Sequence, residues 1–508
     1  MKFFKFFIFV HTIVICTIFC AMAQSFSDPV MKPCIECEEL LNLQLPDVSV
    51  SEVTKMEEEK PYCKVLGIIG KEIKFELLLP MKWNGRFVMG GGGGFVGTIQ
   101  NGARSKVNEG FATVGTNTGH EESGYKAEWA LNNMERQVNF GFMAVHRTAV
   151  TAKRIINHFY SFWPEYSYFI GCSRGGGQAL IEAQRYPGDF DGIVAGAPII
   201  DWPASGAEFV QNSQAVYPNP SQLNEPVLTK KHLEMLQSAV LEQCDEMDGL
   251  KDSILNRPDL CPFDFSTLPR CPGDSVGADC FTAAQIKAIK TIYEGVSNPD
   301  GSIYPGFPPG GENEKGGWLE WIVGINKNSA KLGFPSYQFA FGTEIYKYLI
   351  FNNPTWDYST YDFSNYTNDT RYASAYLNAT ASDYSGFKKR NGKMIIYHGW
   401  NDPALSVYTA IQHYTEAQKS DNNIQEYIRL FLLPGVLHCG GGTGPGKADW
   451  IHLIRDWVEN NHAPEWVVVT KQKNGETIMA RPVFPYPGTA EYDGSGNPNK
   501  ESSFFRKN

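Results

Sequence analysis

Past its first two dozen residues this chain has no apolar run long enough to span a bilayer, so no membrane-crossing segment is expected in the body of the protein. It also lacks a basic block. The formal net charge is −10 at pH 7, and setting aside the two lysines of the opening stretch leaves about −12, which speaks against nucleic acid or another polyanion as a partner. There is no internal repeat and no low-complexity tract beyond the glycines at 90–94. Those glycines come without G-K-[ST] and without a G-x-G-x-x-G opening a helix, so a phosphate-cradling loop is discounted. The one C-x-x-C, Cys34 to Cys37, has neither a second pair nor neighbouring histidines to complete a zinc site. Structural disulfide use is expected of it instead.

What is present begins with MKFFKFFIFVHTIVICTIFCAMAQ: Lys2 and Lys5, a mostly apolar run, then Ala21 and Ala23. That is the pattern of a secretory signal cut after Ala23. A membrane anchor is the competing reading, opposed by the shortness of the run and the missing basic stop-transfer patch. The expected mature protein is therefore extracellular. Of 11 cysteines, Cys16 and Cys20 leave with the signal. The remaining nine, at 34, 37, 63, 172, 244, 261, 271, 280 and 439, should be mostly disulfides with one thiol left over. Cys63 has Cys34 or Cys37 as its partner. Asn365, Asn368 and Asn378 each open an N-x-[ST] sequon in one polar, Tyr-rich stretch, which reads as surface if the host glycosylates.

Short apolar or β-branched runs recur with turn signals between them: 75–79, 86–89, 111–115, 166–170 and 192–195. They read as buried parallel strands. Helix-compatible segments at 139–160 and 177–185 alternate with them, which implies a parallel sheet with right-handed crossovers. The pattern stops near Asp201. Residues 202–387 are rich in Pro, Gly, Tyr and Trp, with helical periodicity only at 230–243 and 283–293; strand signals then resume at 393–397, 427–433 and 466–470. We expect one α/β sheet built from 24–201 and 388–508, interrupted by an insertion, 202–387, that lies over the C-terminal ends of the strands.

Gly171-Cys172-Ser173-Arg174-Gly175 matches G-x-S-x-G directly after the strand-like YSYFI and directly before a helix-like segment. A sharp strand-to-helix turn there would expose the Ser173 hydroxyl; the competing reading is a plain glycine-rich turn. A serine hydroxyl needs an imidazole to take its proton. In such hydrolases the order is Ser, acid, His, the last two on loops after later strands. Asp402 in HGWNDPALS follows KMIIY, and His438 in PGVLHCGGG follows YIRLFLL. His398, inside a strand-terminal His-Gly, is expected to be a packed or hydrogen-bonded core residue, and Asp449 falls after the base, against the required order.

Cys172 precedes the serine and Cys439 follows the histidine. If Ser173 and His438 meet, a bridge between their neighbours is geometrically plausible; otherwise Cys172 is a small buried residue. Donors for a developing oxyanion are expected from the backbone N–H of Arg174 and from the glycine run at 90–94, with Gly91 and Gly92 singled out.

With GCSRGGGQAL, HGWNDPALS and PGVLHCGGG on the page, the chain resembles the tannase and feruloyl esterase family of secreted α/β-hydrolases, from about residue 60 to its end. QRYPGDFDGIVAGAP, YPGFPPGGE and RPVFPYPGTAEYDGSG look like further family segments. The resemblance implies an α/β-hydrolase fold with a lid domain inserted before the acid, a Cys172–Cys439 bridge beside the triad, and lid bridges Cys244–Cys261 and Cys271–Cys280. It implies no cofactor for catalysis but a structural calcium site in the lid. Its ligands would be the carboxylates of Asp245, Asp248 and Asp252 and the carbonyls of Leu250 and Ile254, oxygen donors of the kind a hard cation takes. Three departures stand out. Many members have arginine where this chain has Gly177. Phe484 stands where a cysteine is common, and the FFRKN terminus lacks the usual final cysteine, so one whole bridge is missing.

The resemblance implies esters of phenolic acids as substrates, small or plant-derived: galloyl esters for a tannase, hydroxycinnamoyl esters for a feruloyl esterase. Other aryl or terephthalate-type esters are the alternative within the same chemistry. A secreted binding protein on a hydrolase scaffold is the alternative outside it, and it should have lost a triad member; none is lost. Trp318, Trp321, Phe339, Phe341 and Tyr346 are the lid aromatics expected either to stack on a ring or to form core.

Overall fold

The protein is described by a computed structural model over residues 30–324 and 333–507. The expected signal segment, 1–23, lies outside the described residues, and no described helix is long and apolar enough to cross a membrane. Seven strands come first: β1 (Val48–Met56), β2 (Tyr62–Ile69), β3 (Ile73–Pro80), β4 (Arg86–Gly90), β5 (Ala112–Thr116), β6 (Tyr166–Cys172) and β7 (Gly192–Gly196). A small hairpin, β8 (Gly295–Asn298) and β9 (Gly301–Pro305), follows, then β10 (Lys393–Gly399) and β11 (Ile428–Leu433). The main sheet has nine strands in the order β1-β2-β3-β5-β4-β6-β7-β10-β11. From β5 to β11 every pairing is parallel, so the turns after β6, β10 and β11 open on one edge. This is the α/β-hydrolase fold.

Alternation along the strands splits the core in two. Phe87, Met89, Met394, Ile396, Leu430 and Leu432 face the helices Ala144–Tyr160, Arg174–Arg185 and Val407–Ser420. Val88, Tyr168, Ile395, Phe431 and Leu433 face the helix Trp450–Asn460. A period of two with both sides apolar is what a sheet covered on two faces requires.

Two strand expectations need correction. The run 75–79 belongs to β3, which is antiparallel to both of its neighbours. Only residues 70–72 separate it from β2, too few for a crossover, so the pair closes as a hairpin. The run 466–470 becomes β12 (Val467–Lys473), which leaves the main sheet and pairs with β13 (Glu476–Val483). Asn474 and Gly475 join them with φ of 52° and 85°, the left-handed pair that a two-residue hairpin turn demands. A last hairpin, β14 (Thr489–Tyr492) with β15 (Phe504–Lys507), ends the described chain.

Between β7 and β10 the chain leaves the sheet. Its helices Trp202–Val216, Lys230–Cys244, Ala283–Glu294, Tyr337–Glu344 and Tyr366–Leu377 enclose a core that includes Leu233, Leu236, Ile289, Trp318 and Tyr346. Phe95, Trp129 and Phe140, from segments that follow β4 and β5, pack into the same core. The inserted region and the sheet's upper edge therefore share apolar packing, and the space between them is where a ligand would sit. Among the sequon asparagines Asn365 and Asn368 are exposed, whereas the half-buried Asn378 accepts a hydrogen bond from the Trp202 amide at 3.1 Å.

Candidate active site

Ser173 lies between the end of β6 and the helix Arg174–Arg185, with φ 63° and ψ −119°. A non-glycine residue in that region is strained by roughly 1–3 kcal/mol and persists only where its surroundings hold it. Here the Ser173 amide donates to the Gly196 carbonyl at 2.9 Å, and its own carbonyl accepts from the amides of Gly177 at 3.0 Å and Ile199 at 3.2 Å. The motif glycines make room for the turn: a Cβ on Gly171 would stand 2.6 Å from the Gly175 carbonyl carbon and oxygen.

Asp402 follows β10 and is buried. Its Oδ1 accepts from the amides of Ala404 at 2.8 Å and Leu405 at 3.0 Å. Its Oδ2 faces two imidazoles, His438 Nδ1 at 2.8 Å and His398 Nε2 at 3.1 Å. His398 Nε2 also meets the Leu405 carbonyl oxygen at 2.9 Å. Both partners of that nitrogen are acceptors, so it must carry a proton. Burial alone would raise the Asp402 carboxyl, but the His438 charge and the hydrogen bonds and charge of the two histidines outweigh it and hold the group well below the ordinary carboxylate range. Asp449 is elsewhere, capping the helix Trp450–Asn460 through the His452 amide at 3.2 Å.

His438 and Ser173 line one cavity of about 560 Å³, together with Cys172 and Cys439. The two cysteines are bonded, with Cα atoms 5.9 Å apart. This joins the nucleophile turn to the histidine loop across 267 positions of sequence. Three further bridges are present among the described residues, Cys37–Cys63, Cys244–Cys261 and Cys271–Cys280, and Cys34 is the exposed free thiol among them. Of the lid aromatics singled out above, Trp321 and Phe341 reach the cavity. Trp321 stands edge-on to the His438 ring, with centroids 5.1 Å apart. Trp318, Phe339 and Tyr346 do not line it: they pack on Tyr293, on Tyr217 with Tyr358, and on Trp356. Missed from sequence were Tyr125, Trp202, Phe209 and Tyr337, which do line it, Tyr125 and Tyr337 being stacked at 5.5 Å. Nothing local marks them, because they arrive from separate segments.

The expected oxyanion donors divide. Arg174 opens the helix after Ser173 and is among the residues that border the cavity. Gly91 and Gly92 are not: the Gly91 amide donates to the Ile170 carbonyl at 2.9 Å and the Gly92 amide to Gln178 Oε1 at 3.1 Å. Gly91 instead packs under the nucleophile turn, where a Cβ would meet the Gly175 Cα at 2.7 Å. The members of the run that border the cavity are Gly93 and Gly94.

The Arg174 side chain points the other way. Its guanidinium is buried over the rings of Phe140 and Trp202 and donates to the carbonyls of Phe140 and Gly141, in the π-turn Asn139–Met143. Nε and Nη1 have no hydrogen-bond partner among the described residues, and burial lowers the group to about 9. Position 177 has no space for an arginine, since a Cβ there would meet the Ile199 carbonyl oxygen at 2.5 Å. The buried arginine of this chain stands three residues earlier and is tied to the turn Asn139–Met143.

The acidic lid turn forms Asp245–Asp248 with Gly249 at φ 84°. Asp245 accepts from the Ser253 amide, Asp248 from Leu250 and Asn256, and Asp252 from Ile254, each at 3.1 Å. Asp252 also pairs with Arg481. Asp245 Oδ1 is buried with no partner among the described residues, and burial pushes Asp248 up to about 6. A buried, orphaned carboxylate oxygen in a turn that carries two further carboxylates suits a hard cation.

A family model described as "Tannase and feruloyl esterase" matches residues 55–507. The chain is similar to feruloyl esterase B of Aspergillus niger, at 31% identity over 449 residues, covering 83% of this chain and 81% of that protein. It is similar to the mono(2-hydroxyethyl) terephthalate hydrolase of Piscinibacter sakaiensis at 29% identity, covering 87% and 84%. Among solved structures it resembles feruloyl esterase B from Aspergillus oryzae, with a TM-score of 0.83, 25% identity and coverage of 93% and 99%.

Proposed function

The chain belongs to the tannase and feruloyl esterase family of carboxylesterases, and from that premise we propose that Ser173, His438 and Asp402 form an acylating triad for esters of aromatic acids, in a protein that is secreted. The observation that carries the reading is the 2.8 Å contact of His438 Nδ1 with Asp402 in a cavity that Ser173 borders. A carboxylate at Nδ1 keeps that nitrogen protonated and leaves the Nε2 lone pair for the serine proton. Ser173 Oγ then attacks the ester carbonyl as its proton moves to Nε2. The carbonyl oxygen takes negative charge facing the Arg174 amide, and the alcohol leaves with the proton from Nε2. Water, deprotonated by the same nitrogen, attacks the acyl-serine; the acid departs and Ser173 regains its proton.

Four disulfides support the extracellular reading. The aromatic acyl preference rests on Trp321, Tyr337, Phe341 and Tyr125 around a cavity sized for a single-ring ester. Methyl gallate, methyl ferulate and mono(2-hydroxyethyl) terephthalate should each be compared with an acetate ester of similar leaving group. We expect at least one aromatic acyl ester to exceed the acetate in kcat/KM by about tenfold or more, the worth of one good ring contact. Equal or better turnover of the acetate would defeat the aromatic reading. A high value for the terephthalate with little activity on the phenolic pair would favour the second reading, which the relative from Piscinibacter sakaiensis supports.

We further propose calcium in the lid turn, held by Asp245, Asp248 and Asp252 and the carbonyls of Leu250 and Ile254. Bound there, the ion would supply charge compensation to the turn and no part of the ester chemistry. At a hundredfold excess over its dissociation constant a single ion stabilises by about 2.7 kcal/mol, so a chelator should lower the melting temperature and added calcium restore it. Unchanged melting of demonstrably calcium-free protein would count against the site.

A further inference from the structure

On the sheet face that the helices Ala144–Tyr160 and Arg174–Arg185 cover, a second cluster is built from three side chains that the ester chemistry does not use. His146 comes from the first turn of the helix Ala144–Tyr160, Glu182 from the far end of the helix that Ser173 opens, and Asp189 from the turn before β7. One ligand atom from each lies within 4.8 Å of the other two. Glu182 is fully buried, and neither of its carboxylate oxygens has a hydrogen-bond partner among the described residues. A carboxylate in that state is held at a penalty of several kcal/mol, so it must either carry a proton or meet a cation.

The surroundings supply a cation only at the edge. The Lys153 ammonium donates to the Asp189 backbone carbonyl, leaving the carboxylate to His146 Nδ1 at 2.6 Å. Asp191 is occupied by the Ser167 amide at 2.8 Å, and Arg390 is the other basic group acting on Lys153. Neither basic group reaches the Glu182 carboxylate with a hydrogen bond. The His146 ring is fixed by stacking on Tyr186, centroids 3.9 Å apart and planes within 8°. Its side chain is 28% exposed, which gives an ion a way in and a water a coordination place.

We propose that His146, Glu182 and Asp189 bind a divalent transition-metal ion of the zinc class, with water as a fourth ligand, at a site separate from the catalytic cavity and from the acidic lid turn. One imidazole and two carboxylates suit zinc or its neighbours better than calcium, which takes oxygen alone. Ligand bonds of about 2.0–2.2 Å place donor atoms roughly 3.3–3.5 Å apart in a tetrahedron, so the His146–Asp189 pair, now at 2.6 Å, would open to admit the ion. The ion would clamp the end of the nucleophile helix to its neighbour and to the following turn.

The test uses calcium-saturated full-length protein with zinc chloride, and the variants Glu182→Gln and His146→Gln. After dialysis, elemental analysis should find one more zinc per chain in the wild type than in either variant. Zinc should raise the wild-type melting temperature by roughly 2 °C or more and leave the variants unmoved. Should a variant fail to fold, cobalt(II) added to wild type gives the second readout: a visible d–d band displaced stoichiometrically by zinc supports the site, and no such band overturns it. Equal zinc content in all three proteins overturns it as well. So does a Glu182→Gln protein that melts above the metal-free wild type and takes no zinc, because a protonated carboxyl pair would then account for the cluster. None of these readouts depends on esterase turnover, so this inference and the triad assignment fail separately.

Discussion

Ser173→Ala lowers kcat by at least about a thousandfold on the best aromatic ester, with folding intact. Alanine keeps the backbone contacts to Gly196, Gly177 and Ile199 that hold the turn at φ 63°, so the cavity and the Arg174 amide stay in place. What disappears is the oxygen that forms the acyl bond, and no other hydroxyl, thiol or amine among the residues bordering the cavity can replace it except Tyr125 and Tyr337, whose phenols belong to the aromatic wall. The residual rate should come from polarisation of the ester alone. The measurement is kcat on purified wild type and variant with matched circular dichroism and melting curves. Turnover within tenfold of wild type would show that the nucleophile lies elsewhere.

Asp402→Asn is expected to lose about 10³–10⁴ in kcat, and for a reason particular to this site. An asparagine amide nitrogen cannot sit at the Oδ1 position, where the Ala404 and Leu405 amides already point in. It must take the Oδ2 position, facing His398 Nε2 and His438 Nδ1. His398 Nε2 bears a proton directed at that atom, so two donors collide. His438 Nδ1 is turned into an acceptor, which moves its proton to Nε2 and removes the base. The variant should therefore lose stability as well as rate, the destabilisation being of order 1–3 kcal/mol for the unsatisfied donors. Near-native kcat, or a lost rate with fully native melting, would contradict this account of the two histidines.

The nucleophile turn was legible because its demands are local: two glycines, a serine, a strand before and a helix after, all within a dozen residues. Asp402 and His438 could be placed because each follows an apolar run that can only be a covered strand. The edge of the sheet formed by β1 and β2 was not legible. β1 alternates between half-buried and exposed positions, and Lys64 and Gly67 interrupt β2. The choice among the glycines at 90–94 was beyond reach for another reason. Which amides remain available depends on Ile170 and Gln178, about 80 residues away and on other elements. His398 is expected as a packed or hydrogen-bonded core residue, and it is buried and hydrogen-bonded. That its bond goes to Asp402 depends on how the chain turns back after β10. The Asn474-Gly475 pair is itself a hairpin signal, and it folds the run before it back onto β13 instead of into the main sheet.

The bond between Cys172 and Cys439 makes the chain topologically a ring with two tails. Everything inserted between β7 and β10 belongs to the ring. A protease that cuts once inside it opens the circle without freeing a fragment, and both halves of the reaction centre stay tethered to one another. Such nicked molecules run as a single species in a denaturing gel until a reductant is added, then fall into two. The inserted region can therefore gain exposed, cleavable surface loops without the enzyme coming apart when one of them is clipped.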